Sequence, residues 1–287
     1  MAPIFTQKGS DIDSSSNWGG GDHSLSADGS VIAIREIDYN SRSNIKIYEN
    51  VNGNWTQIGE FGKEAAGYKD VGLSRGAIEG FSLSDDGNII AIGVSSVESA
   101  NSGSSYIRVF ERMDGYNNRW RQLGNDIFEQ NSSISSRFGT RVRLSADGKV
   151  VAVNNTSKDI VQIYRFDGIW TQIGNDIGSR KSFGDELSIS ADGSVVAIGG
   201  YQDKIPNNQY GYYGLVSIYN NVNDVWTQVG GGDIVSGSPQ GRRVSLSADG
   251  SIIAIGEPLN TGKVGIYKIL NNSYTQIGSD IKNYDLK

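Results

Sequence analysis

Five near-copies of one phrase govern what this chain can fold into. It reads HSLSADGSVIAIRE from His23, FSLSDDGNIIAIGV from Phe81 and VRLSADGKVVAVNN from Val142. It returns as LSISADGSVVAIGG from Leu187 and VSLSADGSIIAIGE from Val244. A second phrase follows each copy: IKIY at Ile45, IRVF at Ile107, VQIY at Val161, VSIY at Val216 and VGIY at Val264. A third closes each unit: WTQIG at Trp55, WRQLG at Trp120, WTQIG at Trp170, WTQVG at Trp226 and YTQIG at Tyr274. Repetition at this spacing marks a radial or solenoid array, because a unit of this size cannot bury its apolar face alone.

Each unit holds four short β-branched or aromatic runs bounded by Gly, Asn, Asp and Ser, the pattern of four antiparallel strands. The expected fold is all-β: a five-bladed β-propeller of four-stranded blades, with units near 13–59, 71–124, 134–174, 179–230 and 239–281. The repeated Ser-x-Asp-Gly is read as the hairpin between first and second strands. Its glycine takes the left-handed position, and its aspartate accepts bonds from neighbouring amides. The aspartates are therefore turn formers. Asp meets Gly directly, which departs from sialidase Asp boxes, and one carboxylate per turn does not make a calcium loop.

Composition narrows the function classes. The chain has 38 glycines but 4 prolines in 287 residues, which fits many tight turns. A formal net charge of −6 argues against nucleic acid as a partner. No apolar run is long enough to insert in a membrane, and no secretion signal is visible. With no cysteine, disulfides and thiolate metal sites are out. No metal or cofactor is expected, and the expected location is intracellular or inside a packaged particle.

The strand phrases resemble the WD-repeat propellers, whose strands run S-x-D-G, A-x-G and V-x-I-W. Phe138-Gly139 and Phe183-Gly184 resemble FG-GAP propellers. The Gly-His and Trp-Asp dipeptides of true WD repeats and the Asp-rich calcium loops of FG-GAP repeats are missing. The resemblance implies an interaction scaffold without naming its partner.

FTQKGSDI at Phe5 matches YTQIGSDI at Tyr274, so the fourth strand has six copies and the first only five. This surplus strand, residues 4–8, is expected to pair near the last blade. The chain is then a monomer, unless the strand pairs with a second molecule. The tryptophans are read as packing between blades rather than as sugar platforms.

Two places could bind. Connections at one end of the propeller differ in every unit, and among them GYQDKIPNNQYGYYG brings together Tyr201, Asn207, Asn208, Tyr210, Tyr212 and Tyr213. The second is the channel mouth. Six positions before each turn aspartate stand Asp22, Gly80, Arg141, Glu186 and Arg243. One position earlier come Glu79, Asp185 and Arg242 among others. His23, the single histidine, aligns with apolar residues and is expected to be packed.

The function expected from these features is a non-catalytic scaffold that binds a protein partner through the variable loops, with no catalytic residues. The alternatives are a glycan-binding module or glycosidase at the channel mouth, and a structural component of a large DNA virus particle.

Overall fold

The computed structural model describes residues 6–12, 22–37, 43–62, 76–96, 105–113, 119–129, 137–178, 183–203, 212–235, 243–257 and 262–282. Within them each repeat folds as a four-stranded antiparallel sheet whose strands lie in chain order. The first sheet comprises His23–Leu25, Val31–Ile37, Ser43–Val51 and Asn54–Phe61. The second comprises Gly76–Leu83, Ile89–Ser96, Tyr106–Arg112 and Trp120–Gln122. The third has Phe138–Leu144, Val150–Asn155, Ile160–Phe166 and Trp170–Gln172. The fourth has Glu186–Ile189, Val195–Asp203, Tyr212–Val222 and Val225–Gln228, and the fifth Arg243–Leu246, Ile252–Glu257, Lys263–Leu270 and Ser273–Gln276. The architecture is that of a five-bladed propeller.

The Ser-x-Asp-Gly turns are built as their chemistry requires. In the first, the Gly29 amide donates to the Ser26 carbonyl at 3.0 Å, and Gly29 takes φ 68°. The Asp28 carboxylate accepts from the Ser26 hydroxyl and the Ser30 amide, each at 2.8 Å. The Ser26 hydroxyl oxygen accepts from the Val31 amide at 2.9 Å, which anchors the second strand. The same three bonds recur at Asp86, Asp147, Asp192 and Asp249.

Consecutive sheets are joined by contacts that also repeat. The residue before each turn aspartate carries a backbone bond to the next turn: Ala27 to Asp85, Asp85 to Ala146, Ala146 to Ala191 and Ala191 to Ala248, at 2.7–3.0 Å. In the second, third and fourth sheets the tryptophan of the fourth strand donates its indole N–H to a carbonyl of the preceding unit. Trp120 reaches Ile58 at 3.0 Å, Trp170 reaches Leu123 at 2.8 Å and Trp226 reaches Ile173 at 3.0 Å. Trp120 and Trp170 are buried. Four apolar clusters fill the four boundaries between consecutive sheets. Full burial of a Val, Leu or Ile there contributes roughly 1.5–3 kcal/mol.

The fourth strand is short in most sheets because G-x-D interrupts it. After the interruption the chain returns to pair with the third strand, as Ile127–Phe128, Ile234–Val235 and Ile281–Lys282. The aspartate of that interruption accepts from the glutamine of the W-x-Q phrase: Gln122 to Asp126, Gln172 to Asp176, Gln228 to Asp233 and Gln276 to Asp280.

Candidate functional site at the channel mouth

The inner strands converge on a cavity of about 290 Å³ lined by Asp22, His23, Gly80, Phe81, Thr140, Arg141, Arg143, Glu186 and Arg243. The residues six positions before the turn aspartates thus meet at one level. An equal number of residues counted back from a shared turn carries them to the same height on the axis.

The cavity's charged groups are held in order. Glu186 is buried, with its Oε1 2.6 Å from Arg243 Nη1 and 3.8 Å from Arg141 Nη2. Asp22 Oδ2 lies 2.8 Å from Arg35 Nη2, and the other guanidinium nitrogen of Arg35 donates to the carbonyls of Ile78 and Glu79. Arg141 is fixed at its backbone, where the amide donates to the Oδ1 of buried Asn154 at 2.8 Å. Asn154 Nδ2 donates to the Gly184 carbonyl at 2.8 Å, tying the third sheet to the fourth directly behind the cavity. The lining carries three guanidinium groups against two carboxylates, a positive surplus inside an acidic chain.

Arg143 was not among the residues singled out by the sequence reading, yet a signal was there. The third unit reads V-R-L-S where the others read H-S-L-S, F-S-L-S, L-S-I-S and V-S-L-S. In three of those four the serine hydroxyl accepts an amide from the next sheet: Leu83 to Ser24, Leu144 to Ser82 and Leu246 to Ser188. At Arg143 that position carries a cation facing the channel instead, with one guanidinium nitrogen donating to the Val142 carbonyl at 2.9 Å. Burial lowers the pKa of Arg143 from its ordinary value, opposed by Glu186. Arginine starts so high that it stays charged at neutral pH.

Of the other residues singled out, Glu79 and Asp185 are half-buried beside the cavity without lining it. Burial pushes the Asp185 carboxyl up from its ordinary value, against the pull of Arg141. Arg242 lies outside the described residues. His23 is exposed and lines the mouth, a correction to the packed ring expected of it. The face of the first sheet that carries it lacks a covering sheet among the described residues.

The tyrosine-rich segment is less of a loop than expected. Tyr201 pairs with Gly214, Gln202 with Tyr213 and Asp203 with Tyr212, so strands extend into it from both sides. Asn207, Asn208 and Tyr210 fall outside the described residues. Among the described residues no helix is long and apolar enough to cross a membrane, and no group of three His, Asp or Glu is placed to hold a metal ion.

No protein-family model matches the chain, and no curated protein matches it. Solved structures do. It is similar to the periplasmic gluconolactonase PpgL of Pseudomonas aeruginosa, at 15% identity and TM-score 0.56, over 90% of this chain and 71% of that one. A candidate 6-phosphogluconolactonase of Bacteroides uniformis matches at 13% identity and TM-score 0.54, over 91% of this chain and 84% of that one. Hydrazine synthase of Kuenenia stuttgartiensis matches at 13% identity and TM-score 0.54, over 86% of this chain and 64% of that one. At these identities the likeness establishes the propeller fold.

These neighbours overturn the expectation of a non-catalytic scaffold. That expectation rested on the resemblance to interaction propellers and on the variable loops, with no catalytic residues assigned. Two of the neighbours carry lactonase names on this same architecture, so the propeller repeat does not separate scaffold from enzyme. A propeller brings polar side chains from distant parts of the chain to one mouth, and no sequence-local motif records that.

Proposed function

We propose that the chain is a hydrolase of lactonase type, acting on a small anionic sugar lactone at the channel mouth. The observation that carries this reading is the convergence of Arg141, Arg143 and Arg243 with the only imidazole of the chain around one cavity. Its volume suits a single sugar ring with a charged substituent. The lactonase names among the fold neighbours support the reaction class.

Lactone hydrolysis needs an activated water, a stabilised oxyanion and a proton for the departing ring oxygen. Guanidinium groups bind carboxylate or phosphate through paired N–H donors, and they stabilise charge as it develops on a carbonyl oxygen. Arg141 and Arg143 take these roles, with Glu186 fixing the heads of Arg141 and Arg243. His23 removes a proton from water as it adds to the lactone carbonyl carbon. The ring C–O bond then breaks, and the same proton passes from the imidazole to the leaving alkoxide, giving the open hydroxy acid.

The test is a pH-stat assay of acid release from 6-phosphogluconolactone and from gluconolactone, corrected for spontaneous opening. We expect turnover above background, with the phosphorylated lactone preferred. A rate equal to background for both, with the purified chain folded, would overturn the reading.

A further inference from the structure

The boundary between the fifth sheet and the first differs from the other four. At each internal boundary the turn glycine of one sheet rests on an aliphatic residue of the sheet before it: Gly87 on Val31, Gly148 on Ile89, Gly193 on Val150 and Gly250 on Val195. By that rule Gly29 would rest on Ile252. Among the described residues it meets only Leu25 and Lys8, at about van der Waals distance or beyond, and Ile252 is 40% exposed. Leu25 is 52% exposed, whereas its counterparts Leu83 and Leu144 are buried. Among the described residues the two outer faces therefore carry the apolar pattern of covered faces and lack the cover.

What lies against the first sheet is the surplus fourth-strand phrase of the N-terminal segment. Trp55 Nε1 donates to the Lys8 carbonyl at 3.1 Å, matching the bonds of Trp120, Trp170 and Trp226 to the preceding units. Gly9 has φ 88°, and a Cβ there would meet Trp55 at 2.8 Å, as one at Gly124 would meet Trp170 and one at Gly174 would meet Trp226. Gln7 donates to Asp11 at 2.7 Å, the pairing made inside every interrupted fourth strand. Residues 6–12 thus hold the place and the local conformation of the fourth strand of a preceding sheet.

The inner strands of that sheet are missing among the described residues. In the complete sheets the aspartate of G-x-D-I also accepts from the third strand: Arg108 to Asp126, Gln162 to Asp176, Ser217 to Asp233 and Lys263 to Asp280. Among the described residues Asp11 has only Gln7.

We propose that the seam between the fifth and first sheets is a docking site for a three-stranded antiparallel sheet that carries this repeat's first three strand phrases. Residues 6–12 complete it as the fourth strand, and the fifth sheet covers its other face. A second copy of this chain does not fit, because its last sheet brings its own fourth strand. The Ile277–Gly278 phrase of that strand would claim the Trp55 position that Lys8 and Gly9 already fill. Strand addition of this kind combines backbone pairing with the burial of alternate side chains.

The experiment mixes the full chain with a polypeptide of residues 186–222, the first three strands of the fourth sheet. A control polypeptide carries Ala197→Asp and Ile218→Asp on the face meant for the first sheet. Complex formation is read by light scattering and by the thermal midpoint. We expect a one-to-one complex and a midpoint raised by about 5 °C at saturation. The control should not bind, and Leu25→Glu or Ile252→Glu in the full chain, both exposed and harmless to folding, should abolish binding. Three results overturn the proposal: no complex, equal binding of the control, or a dimer of the full chain alone that Ile252→Glu dissolves.

Discussion

Trp120 Nε1 donates to the Ile58 carbonyl at 3.0 Å, across the boundary between the second sheet and the first. The indole also stands edge-on to Phe61, with ring centroids 5.7 Å apart, inside the cluster shared by the two sheets. Trp120→Ala removes a buried ring and leaves a cavity, so we expect a loss of about 3–5 kcal/mol in urea denaturation. Trp120→Phe keeps most of the volume and loses the hydrogen bond, and should cost about 1–2 kcal/mol.

The turn glycines supply an internal control for the open seam. Gly193 has φ 73°, and a Cβ there would approach Val150 to 2.7 Å. Gly29 has nearly the same φ, but its nearest neighbour would be 3.9 Å away. Gly29→Ala should cost only the left-handed strain, about 1 kcal/mol. Gly193→Ala adds a steric clash with a neighbouring sheet and should cost at least about 1 kcal/mol more. Equal losses for both variants would mean that Gly29 faces a covered surface.

Acid should loosen the turns. Hydrogen bonds from Ser30 and Ser26 hold the Asp28 carboxyl at about 2, and those from Ser247 and Ser251 hold Asp249 at about 2. Asp86 and Asp192 are also lowered: the bonds from Ser84 and Asn88, and from Ser190 and Ser194, outweigh the burial that opposes them. A carboxyl depressed in the folded state stabilises it fully above the unfolded pKa, and that contribution fades as pH falls toward the folded value. Stability should therefore drop between about pH 4 and pH 2. Asp249→Asn should flatten the acid limb of midpoint against pH while leaving the fold intact.

The channel mouth gives a kinetic prediction that separates binding from chemistry. Arg143→Met should raise KM by about tenfold or more with a smaller effect on kcat, since it removes a donor to the anionic substituent. His23→Gln should lower kcat by about a hundredfold and leave KM nearly unchanged. His23 is exposed, so its loss should not move the thermal midpoint. If His23→Gln leaves kcat unchanged, the imidazole is not the base.

The sequence by itself determined the repeating unit. The spacing of S-x-D-G, V-x-I-Y and W-T-Q-x-G sets strand length, turn type and the antiparallel order, because those depend on bonds between residues close in the chain. Counting back from the turn aspartates also brought Asp22, Gly80, Arg141, Glu186 and Arg243 to one level, since equal residue counts from equal turns reach equal heights. Tertiary structure alone decided which of these face a common cavity. It added Arg143, His23, Phe81 and Thr140; around Phe81 and Thr140 the inner strands carry bulges, at Ile78–Phe81 and Phe138–Val142, that rotate side chains away from simple alternation. It also decided that, among the described residues, the first and fifth sheets leave their facing surfaces uncovered. The repeat phrase is the same at a closed boundary and at an open one. Whether two such surfaces meet depends on how the sheets are arranged in space, which local sequence does not encode.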